Sequence, residues 1–450
     1  MSLFEKEWIS ESKYNFLGGF LMNYPPVAGI DVGKNFSEMC ILSPNNEICH
    51  RIKIHHDSLV SIKKAIDLLQ KTEKDFAIRP VVVLESTGHY HKILFHYLSD
   101  SGFEVSIINP IQSDSIKNIG IRKVKNDKVD AHRIALLYRF SFIKTTIIAD
   151  DDLDCLRSLC RQYYKLSDEL TTYKNRLTGI VDQVMLNFTD VFQNVYSKTA
   201  LAVLDRYPSP VHILKARRES LISLMERSSK KGLAWSTQKY ESLVLRAKEF
   251  KELSISTPGN IAILKVNISM VRTLQESRKS ILDAINEIIL IDSLEDIPVL
   301  SPIIDLLCSI PGIGVLTAAT ILAEVGDFSA FSKPNKLVAF FGIDPSVNQS
   351  GEFTGTRNKM SKRGSKLLRR VMFTTALANI RSKRNGEKTN PVMHDFYHQK
   401  CINKPKKVAL GAVMRKLVNI IFAVLRDKKP FELITPEEHE ELLLTKSLVA

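Results

Sequence analysis

A single carboxylate inside a strand constrains this chain more than any other feature. The stretch from Val27 to Leu42, VAGIDVGKNFSEMCIL, is an apolar strand signal in which Asp31 stands between Ile30 and Val32. An ionised carboxylate among aliphatic side chains is costly to bury unless a cation meets it, and a bound metal ion is the usual solution. Three further acids are placed to complete such a site. Arg79 to Ser86, RPVVVLES, is a second apolar run that ends on Glu85, while Asp127 and Asp130 open a helical pattern in KVKNDKVDAHRIALL. At that spacing the two aspartates share a helix face, where like charges repel mildly unless a cation lies between them. Asp31, Glu85, Asp127 and Asp130 thus make an all-oxygen donor set suited to Mg2+.

The elements around these acids follow a definite order. A strand from Val27, a turn at Ser43 to Asn46 and a strand over Glu47 to Ile54 precede a helix with Leu59, Ile62, Ile66 and Leu69 on one face. A strand at Val81 to Leu84, a helix through Ile93, Leu94 and Leu98, and a core strand from Phe103 to Ile108 follow, stopped by Asn109-Pro110. A hairpin followed by alternating strands and helices is an α/β layer architecture. A ribonuclease H-like (RuvC-like) fold orders its elements in this way and gathers its acids at the strand ends.

Beyond this domain the periodicity turns helical. Leu156, Leu159, Tyr163, Leu166, Leu170, Tyr173, Leu177, Ile180 and Val184 fall at alternating steps of three and four, a heptad seam of the coiled-coil kind. A second long helix is expected from Ile261 to Leu290. Periodicity leaves open whether the two pair within one chain or zip two chains together. Between them, Ala200 to Pro258 reads as shorter helices joined by polar loops. The expected organisation is an extension over 1–25, the α/β domain over 26–145, a helical coiled-coil region over 150–300, a mainly α domain over 301–430 and a tail over 431–450.

Charge separates the C-terminal part from the rest. The formal charge is +14, and between Ser346 and Pro430 twenty Lys and Arg stand against Glu352, Glu387, Asp395 and Asp427. Such density is the footprint of a polyanion partner, most often nucleic acid. A membrane class is not indicated: the apolar run VALGAVMRKLVNIIFAVL is interrupted by Arg415 and Lys416, and Glu5, Glu7 and Glu11 occupy the region where a signal peptide needs basic residues. A cytoplasmic, nucleoid-associated protein is expected. The six cysteines contain no C-x-x-C pair and signal neither zinc nor a disulfide framework.

Two C-terminal stretches carry chemistry. Ser309 to Asp327, SIPGIGVLTAATILAEVGD, places Gly312 and Gly314 ahead of a helix, leaving N–H groups at a positive helix end that suits a phosphate. It is similar to the helix-hairpin-helix motif; the alternative is a turn whose glycines only let two helices pack closely. Further on, Gly351 and Gly355 make a flexible loop, and Lys362, Arg363, Lys366, Arg369 and Arg370 follow on a helix. A serine beside a glycine and facing fixed positive charges is one way to present a hydroxyl to a phosphodiester. Ser350 is the leading candidate, with Ser346, Thr354, Thr356 and Ser361 as neighbours of similar type. Each cation has the alternative of an ordinary solvated helix face.

These motifs share an order with a known family. Gly29-Ile30-Asp31-Val32, Glu85-Ser86-Thr87-Gly88-His89-Tyr90, Asp127-Lys128-Val129-Asp130-Ala131, the I-P-G-I-G turn, and Ser350-Gly351 ahead of Ser361-Lys362-Arg363-Gly364 together resemble the DEDD transposases of insertion-sequence family one-ten, relatives of the Piv DNA invertase. The resemblance implies a recombinase that cuts and rejoins donor and target DNA, directed by a non-coding RNA encoded by the element. It also implies that Asp31, Glu85, Asp127 and Asp130 hold Mg2+ in a RuvC-like domain, and that Ser350 of a C-terminal transposase domain becomes covalently linked to DNA. Two domains from different subunits of a homo-oligomer, a dimer or a tetramer on DNA, would form one composite site, the heptad helix being where subunits meet.

Two other classes can be set against this reading. Gly-Ile-Asp-x-Gly on a first strand also opens actin-like ATPases and sugar kinases, but those need a later glycine-rich phosphate loop and the chain has none. A non-catalytic DNA-binding protein would use the basic half alone and leave the strand-end acids unexplained. A Piv-like invertase working without a guide RNA is the nearer alternative.

Overall fold

The computed structural model describes residues 24–85, 90–108, 127–140, 151–294, 299–346, 349–350, 353–354 and 359–449. The chain divides into two compact units, 1–148 and 149–450.

The first unit is built on a mixed five-stranded sheet in the order β3-β2-β1-β4-β5. Its strands are β1 (Val27–Val32), β2 (Phe36–Leu42), β3 (Ile48–His55), β4 (Val81–Glu85) and β5 (Val105–Ile108), with helices α1 (Leu59–Phe76) and α2 (His91–Asp100) between them and α3 (Asp127–Arg139) after them. β1 pairs antiparallel with β2 and parallel with β4, so the three-stranded meander continues into a parallel half. The expected hairpin is thus a three-stranded meander, because the strand run read from Val27 breaks after Val32 into β1 and β2, while the alternation of strands and helices that follows is as the sequence predicts.

Period-two alternation divides the sheet's side chains between two cores. Ala28, Ile30, Val32, Met39, Ile41, Ile54, Val82 and Leu84 face one way and are covered by Ile62, Ala65 and Leu69 of α1 and by Leu94 and Leu98 of α2. Val27, Cys40, Leu42, Val81, Val83 and Ile108 face the other way, under Ala131, Ile134 and Ala135 of α3. β1 is an apolar run rather than an alternating one because both faces are covered. α1 begins at Ser58, whose side chain accepts from Ser61 N–H, and ends at Ala77 in the left-handed conformation.

The second unit is helical. It runs α4 (Asp151–Val184), α5 (Phe188–Val191), α6 (Lys198–Arg206), α7 (Pro210–Lys215), α8 (Arg218–Ser229), α9 (Gly232–Phe250), α10 (Pro258–Ser293), α11 (Ser301–Cys308), α12 (Val315–Val325) and α13 (Pro334–Phe340). A two-stranded β6 (Gln349–Ser350) and β7 (Phe353–Thr354) follow, then α14 (Lys366–Asn379), α15 (Pro391–Asn403), α16 (Lys406–Asp427) and α17 (Pro436–Val449). The heptad seam is satisfied inside the chain. Leu156 and Cys160 of α4 share a core with Ile285 of α10, whereas Leu170, Leu177 and Val184 share another with Leu264, Ile268 and Val271. The start of one helix therefore meets the end of the other, and the two long helices form an antiparallel hairpin.

The apolar run near the C-terminus is α16, long and apolar enough by composition to cross a membrane. It packs Ala409, Leu410, Val413, Met414, Leu417, Val418, Ile421 and Val424 into the core of the second unit. Burying each large aliphatic side chain is worth about 1.5–3 kcal/mol, so this face anchors the surrounding helices.

Candidate catalytic centre and nucleic-acid interface

The acids of the first unit come from three elements. Gly29 and Asp31 of β1 point to the same side as Val27, the α3 side. Glu85 continues the Val81 and Val83 series of β4 on that side, and the register that pairs Ile30 with Leu84 brings Asp31 and Glu85 to neighbouring positions at the strand ends. Glu85 is buried, and so is Asp130 on α3.

Two contacts set the direction of α3. At its C-terminal end Arg139 donates from Nη2 to the Ser43 carbonyl at 3.0 Å, just beyond Leu42, the partner of Val27. The helix therefore runs antiparallel to β1, and its first residues, Asp127 to Asp130, lie toward the end that carries Asp31 and Glu85. The approach depends on Gly29: a Cβ there would stand 2.3 Å from the Ala131 carbonyl oxygen and 2.5 Å from Ala135 N. No side chain other than hydrogen lets α3 sit so close.

Asp130 accepts from Arg133 Nη1 at 3.0 Å. The side chain of Asp127 and residues 86–89 of the Glu85 motif lie outside the described residues. Among the described residues no group of three or more His, Cys, Asp and Glu side chains closes around a metal position. The structure thus brings Asp31, Glu85 and Asp130 to one face and one end of the sheet without drawing them into a closed cage. The donors brought together are carboxylates, the oxygen ligands that a hard divalent cation prefers, and most of the buried side chains around them on that face are aliphatic, with Cys40 among them. β2 adds an acid that sequence reasoning passed over: Glu38, the cross-strand partner of Asp31. The short turn after Val32 was the signal that could have found it.

In the second unit, Ser350 is the last residue of β6 and pairs with Phe353 of β7. The expected flexible loop at Gly351 and Gly355 lies outside the described residues, as do the side chains of β6 and β7. The base of the pair is fastened. Pro345 pairs with Met360, and Ser346 donates from both N and Oγ to the Lys359 carbonyl at 2.7 and 2.8 Å. Behind it, Gly342 and Gly364 touch backbone to backbone, since a Cβ on Gly364 would lie 2.1 Å from the Phe340 carbonyl oxygen. Thr356, another hydroxyl candidate, lies outside the described residues. Ser361 is occupied by a bond to Asp344.

The five cations divide into two kinds. Lys362 and Arg363 precede the helix rather than lying on it, because α14 starts at Lys366 with Ser365 as its cap and Lys362 has a φ of +55°. Lys362, Arg363 and Lys366 are exposed. Arg369 instead donates to the Gly364 carbonyl at 2.8 Å, and Arg370 pairs with Asp168 of α4 at 2.8 Å while its guanidinium lies over Tyr164. Those two brace the fold.

The glycine turn joins α11 to α12. Gly312 has a φ of +79° and a Cβ there would stand 2.9 Å from Ala378 Cβ, while Gly314 caps α12 with open space around it. Buried Asn379 holds the turn by donating to the Pro311 carbonyl at 2.6 Å. Both glycines are exposed, but a side chain at Gly312 would meet Ala378 and Asn379, as the packing alternative has it, whereas Gly314 at the helix end has nothing within 4 Å of a Cβ.

Residues 28–186 match the family model DEDD_Tnp_IS110, a transposase, and residues 304–398 match Transposase_20, the transposase IS116/IS110/IS902 family. The two matched segments span more than half of the chain. The chain is similar to the insertion element IS110 uncharacterized 43.6 kDa protein of Streptomyces coelicolor, 26% identical over 339 residues that cover 74% of this chain and 78% of that one. It is 33% identical to the pilin gene-inverting protein of Moraxella bovis over 130 residues, 28% of this chain and 38% of the other. The transposase for insertion sequence element IS1111A of Coxiella burnetii is 32% identical over 124 residues, covering 27% and 33%. A solved structure of T. thermophilus RuvC in complex with Holliday junction substrate aligns at 14% identity and a TM-score of 0.21, covering 27% of this chain and all of that one.

Proposed function

The chain belongs to the IS116/IS110/IS902 family of insertion-sequence transposases, and from that premise we propose that it cuts and rejoins DNA through Asp31, Glu85, Asp127 and Asp130 together with Ser350. The observation that carries this reading is the convergence of three elements on one end of one sheet face. β1, β4 and α3 bring Asp31, Glu85 and Asp130 there, two of them buried, and Gly29 has no Cβ to hold the helix off.

Mg2+ bound by these acids would neutralise phosphate charge and orient the scissile bond. The protein's own contribution is to present and to hold. Ser350, on the β6–β7 pair with a fixed base, attacks phosphorus through its hydroxyl oxygen; the P–O bond to the departing strand breaks and that strand leaves with a free hydroxyl. The serine ester conserves the bond energy until the hydroxyl of a second strand displaces it, so no nucleotide cofactor is consumed. Lys362, Arg363 and Lys366 neutralise backbone phosphates, and the open N-terminus of α12 at Gly314 offers N–H groups to another. Ser350 and the acids belong to different units, so the reaction requires their meeting within one copy or between copies of a homo-oligomer on DNA. An RNA encoded by the element, held by shape and phosphate contacts, would select donor and target.

The similarity to a pilin gene-inverting protein favours a second reading, site-specific inversion without a guide. Incubating the protein with donor and target DNA and Mg2+, then resolving protein–DNA adducts under denaturing conditions, tests the chemistry. Wild type should give an adduct that both Ser350→Ala and Asp31→Asn abolish while DNA binding persists; an adduct that survives Ser350→Ala rejects the nucleophile. Sequencing RNA that co-purifies from the host separates guided transposition from inversion.

A further inference from the structure

We propose that Glu38 is a fifth carboxylate of this centre and a ligand for a divalent cation held beside Asp31, an inference that rests on reading Asp31, Glu85, Asp127 and Asp130 as cation-binding acids. The turn between β1 and β2 fixes the geometry. Gly33 N–H donates to the Phe36 carbonyl at 3.1 Å, and the register that follows pairs Val32 with Ser37 and Asp31 with Glu38. Residues directly opposite in an antiparallel pair project from the same face with Cβ atoms about 4.5–5.5 Å apart. Cys40 and Leu42 continue the Glu38 series and pack against α3, so Glu38 issues on the α3 side, next to Asp31. β1 lies between β2 and β4 in the sheet. Asp31 is therefore flanked by Glu38 on one side and by Glu85 on the other.

The surroundings of Glu38 ask for a cation. Only 7% of the residue is exposed, comparable to 5% for Glu85 and 4% for Asp130. Asp130 has Arg133, but Glu38 has no hydrogen-bond or ion-pair partner among the described residues. The one cation that the register sets opposite it is Lys53 of β3, and the Lys53 ammonium instead lies 3.5 Å from the centre of the Phe36 ring. Like charges directly opposite each other repel, and a buried carboxylate without a partner is destabilising. No capping or backbone contact offsets that cost. A divalent cation between Asp31 and Glu38 removes both penalties and finds there the oxygen ligands that Mg2+ and Mn2+ prefer.

Titrating the full-length protein with Mn2+ alone in a calorimeter, without DNA, and melting the same samples with and without the ion tests this. Glu38→Gln should bind Mn2+ at least tenfold more weakly than wild type, comparable with losses seen on changing groups around a metal site. Its melting temperature without metal should equal or exceed that of wild type, because an unpaired buried charge has been removed. Glu38→Asp, which keeps the charge, should recover part of the affinity. Unchanged Mn2+ affinity in Glu38→Gln, with Asp31→Asn unable to bind, overturns the role of Glu38 and leaves the other acids standing. A metal-free Glu38→Gln that melts below wild type assigns the carboxylate to the fold and overturns it as well. Wild type that takes up no Mn2+, or uptake indifferent to Asp31→Asn, removes the reading of the whole acid set and this proposal with it.

Discussion

Ser361 is bound twice to Asp344: its hydroxyl donates to Oδ1 at 2.5 Å and its backbone N–H to the carbonyl oxygen at 2.8 Å. These bonds lie at the base of the β6–β7 pair that carries Ser350. Ser361→Ala deprives the carboxylate of its hydroxyl donor, which should cost about 1–2 kcal/mol in urea denaturation. The DNA adduct should fall further, by roughly tenfold or more, since a small displacement of an attacking group is expensive in rate. Adduct yield that simply tracks the fraction folded would show that the base does not position Ser350.

Gly29→Ala tests the seat of α3. The added methyl would meet the Ala131 carbonyl at 2.3 Å, a backbone atom that cannot swing aside. A loss of about 1–3 kcal/mol is expected from such overpacking, together with weaker Mn2+ uptake as Asp127 and Asp130 move off the sheet.

The two turn glycines should respond differently. Gly312→Ala is strained by its φ of +79° and by contact with Ala378 and should destabilise the second unit. Gly314→Ala has open space and should cost no more than about 1 kcal/mol as a poorer helix cap. A measured drop in DNA affinity at Gly314 beyond that small change would identify the α12 N-terminus as a phosphate contact; unaltered affinity argues against it.

Salt dependence sorts the cations. Lys362, Arg363 and Lys366 are exposed, so changing any one to Ala should reduce the slope of log affinity against log salt by about 1 with folding intact. Arg369→Ala should leave that slope alone and lower stability, because its guanidinium holds the Gly364 carbonyl. Equal slopes for all four variants would refute the division.

Asp292 gives the second unit an acid-sensitive joint. Burial alone would raise its carboxyl, but N–H groups of Leu300, Ser301 and Val299 outweigh that effect and hold it below the usual carboxylate range. A depressed folded value means the stabilisation is complete above the unfolded carboxylate range, near about pH 4, and is lost as pH falls through the folded value. Asp292→Asn should lower stability at neutral pH by roughly 1–3 kcal/mol, the scale of hydrogen bonds to a charged group. Its acid-unfolding profile should also be flatter than that of wild type.

Much of the first unit was legible because local pattern and tertiary role coincide there. Val27 to Val32 and Val81 to Glu85 are apolar runs covered on both faces, and their acids stand at the strand ends where the residue pattern places them. Lys362 and Arg363 were misplaced onto a helix because nothing in SKRGS announces a left-handed residue before the Ser365 cap. Arg369 and Arg370 read as free cations because their partners, the Gly364 carbonyl and Asp168, were set by packing.

By itself the sequence determined the alternation of strands and helices in the first unit, the two long helices and the separation of charge, since each is a matter of local periodicity or residue type. Tertiary structure alone decided that the heptad seam closes within the chain, that Gly312 packs while Gly314 stays open, and that Glu38 faces Asp31. The physical reason is common to all three: a side chain's partner is chosen by register and by the approach of backbones distant in sequence, and one residue of slip would turn Glu38 to the opposite face.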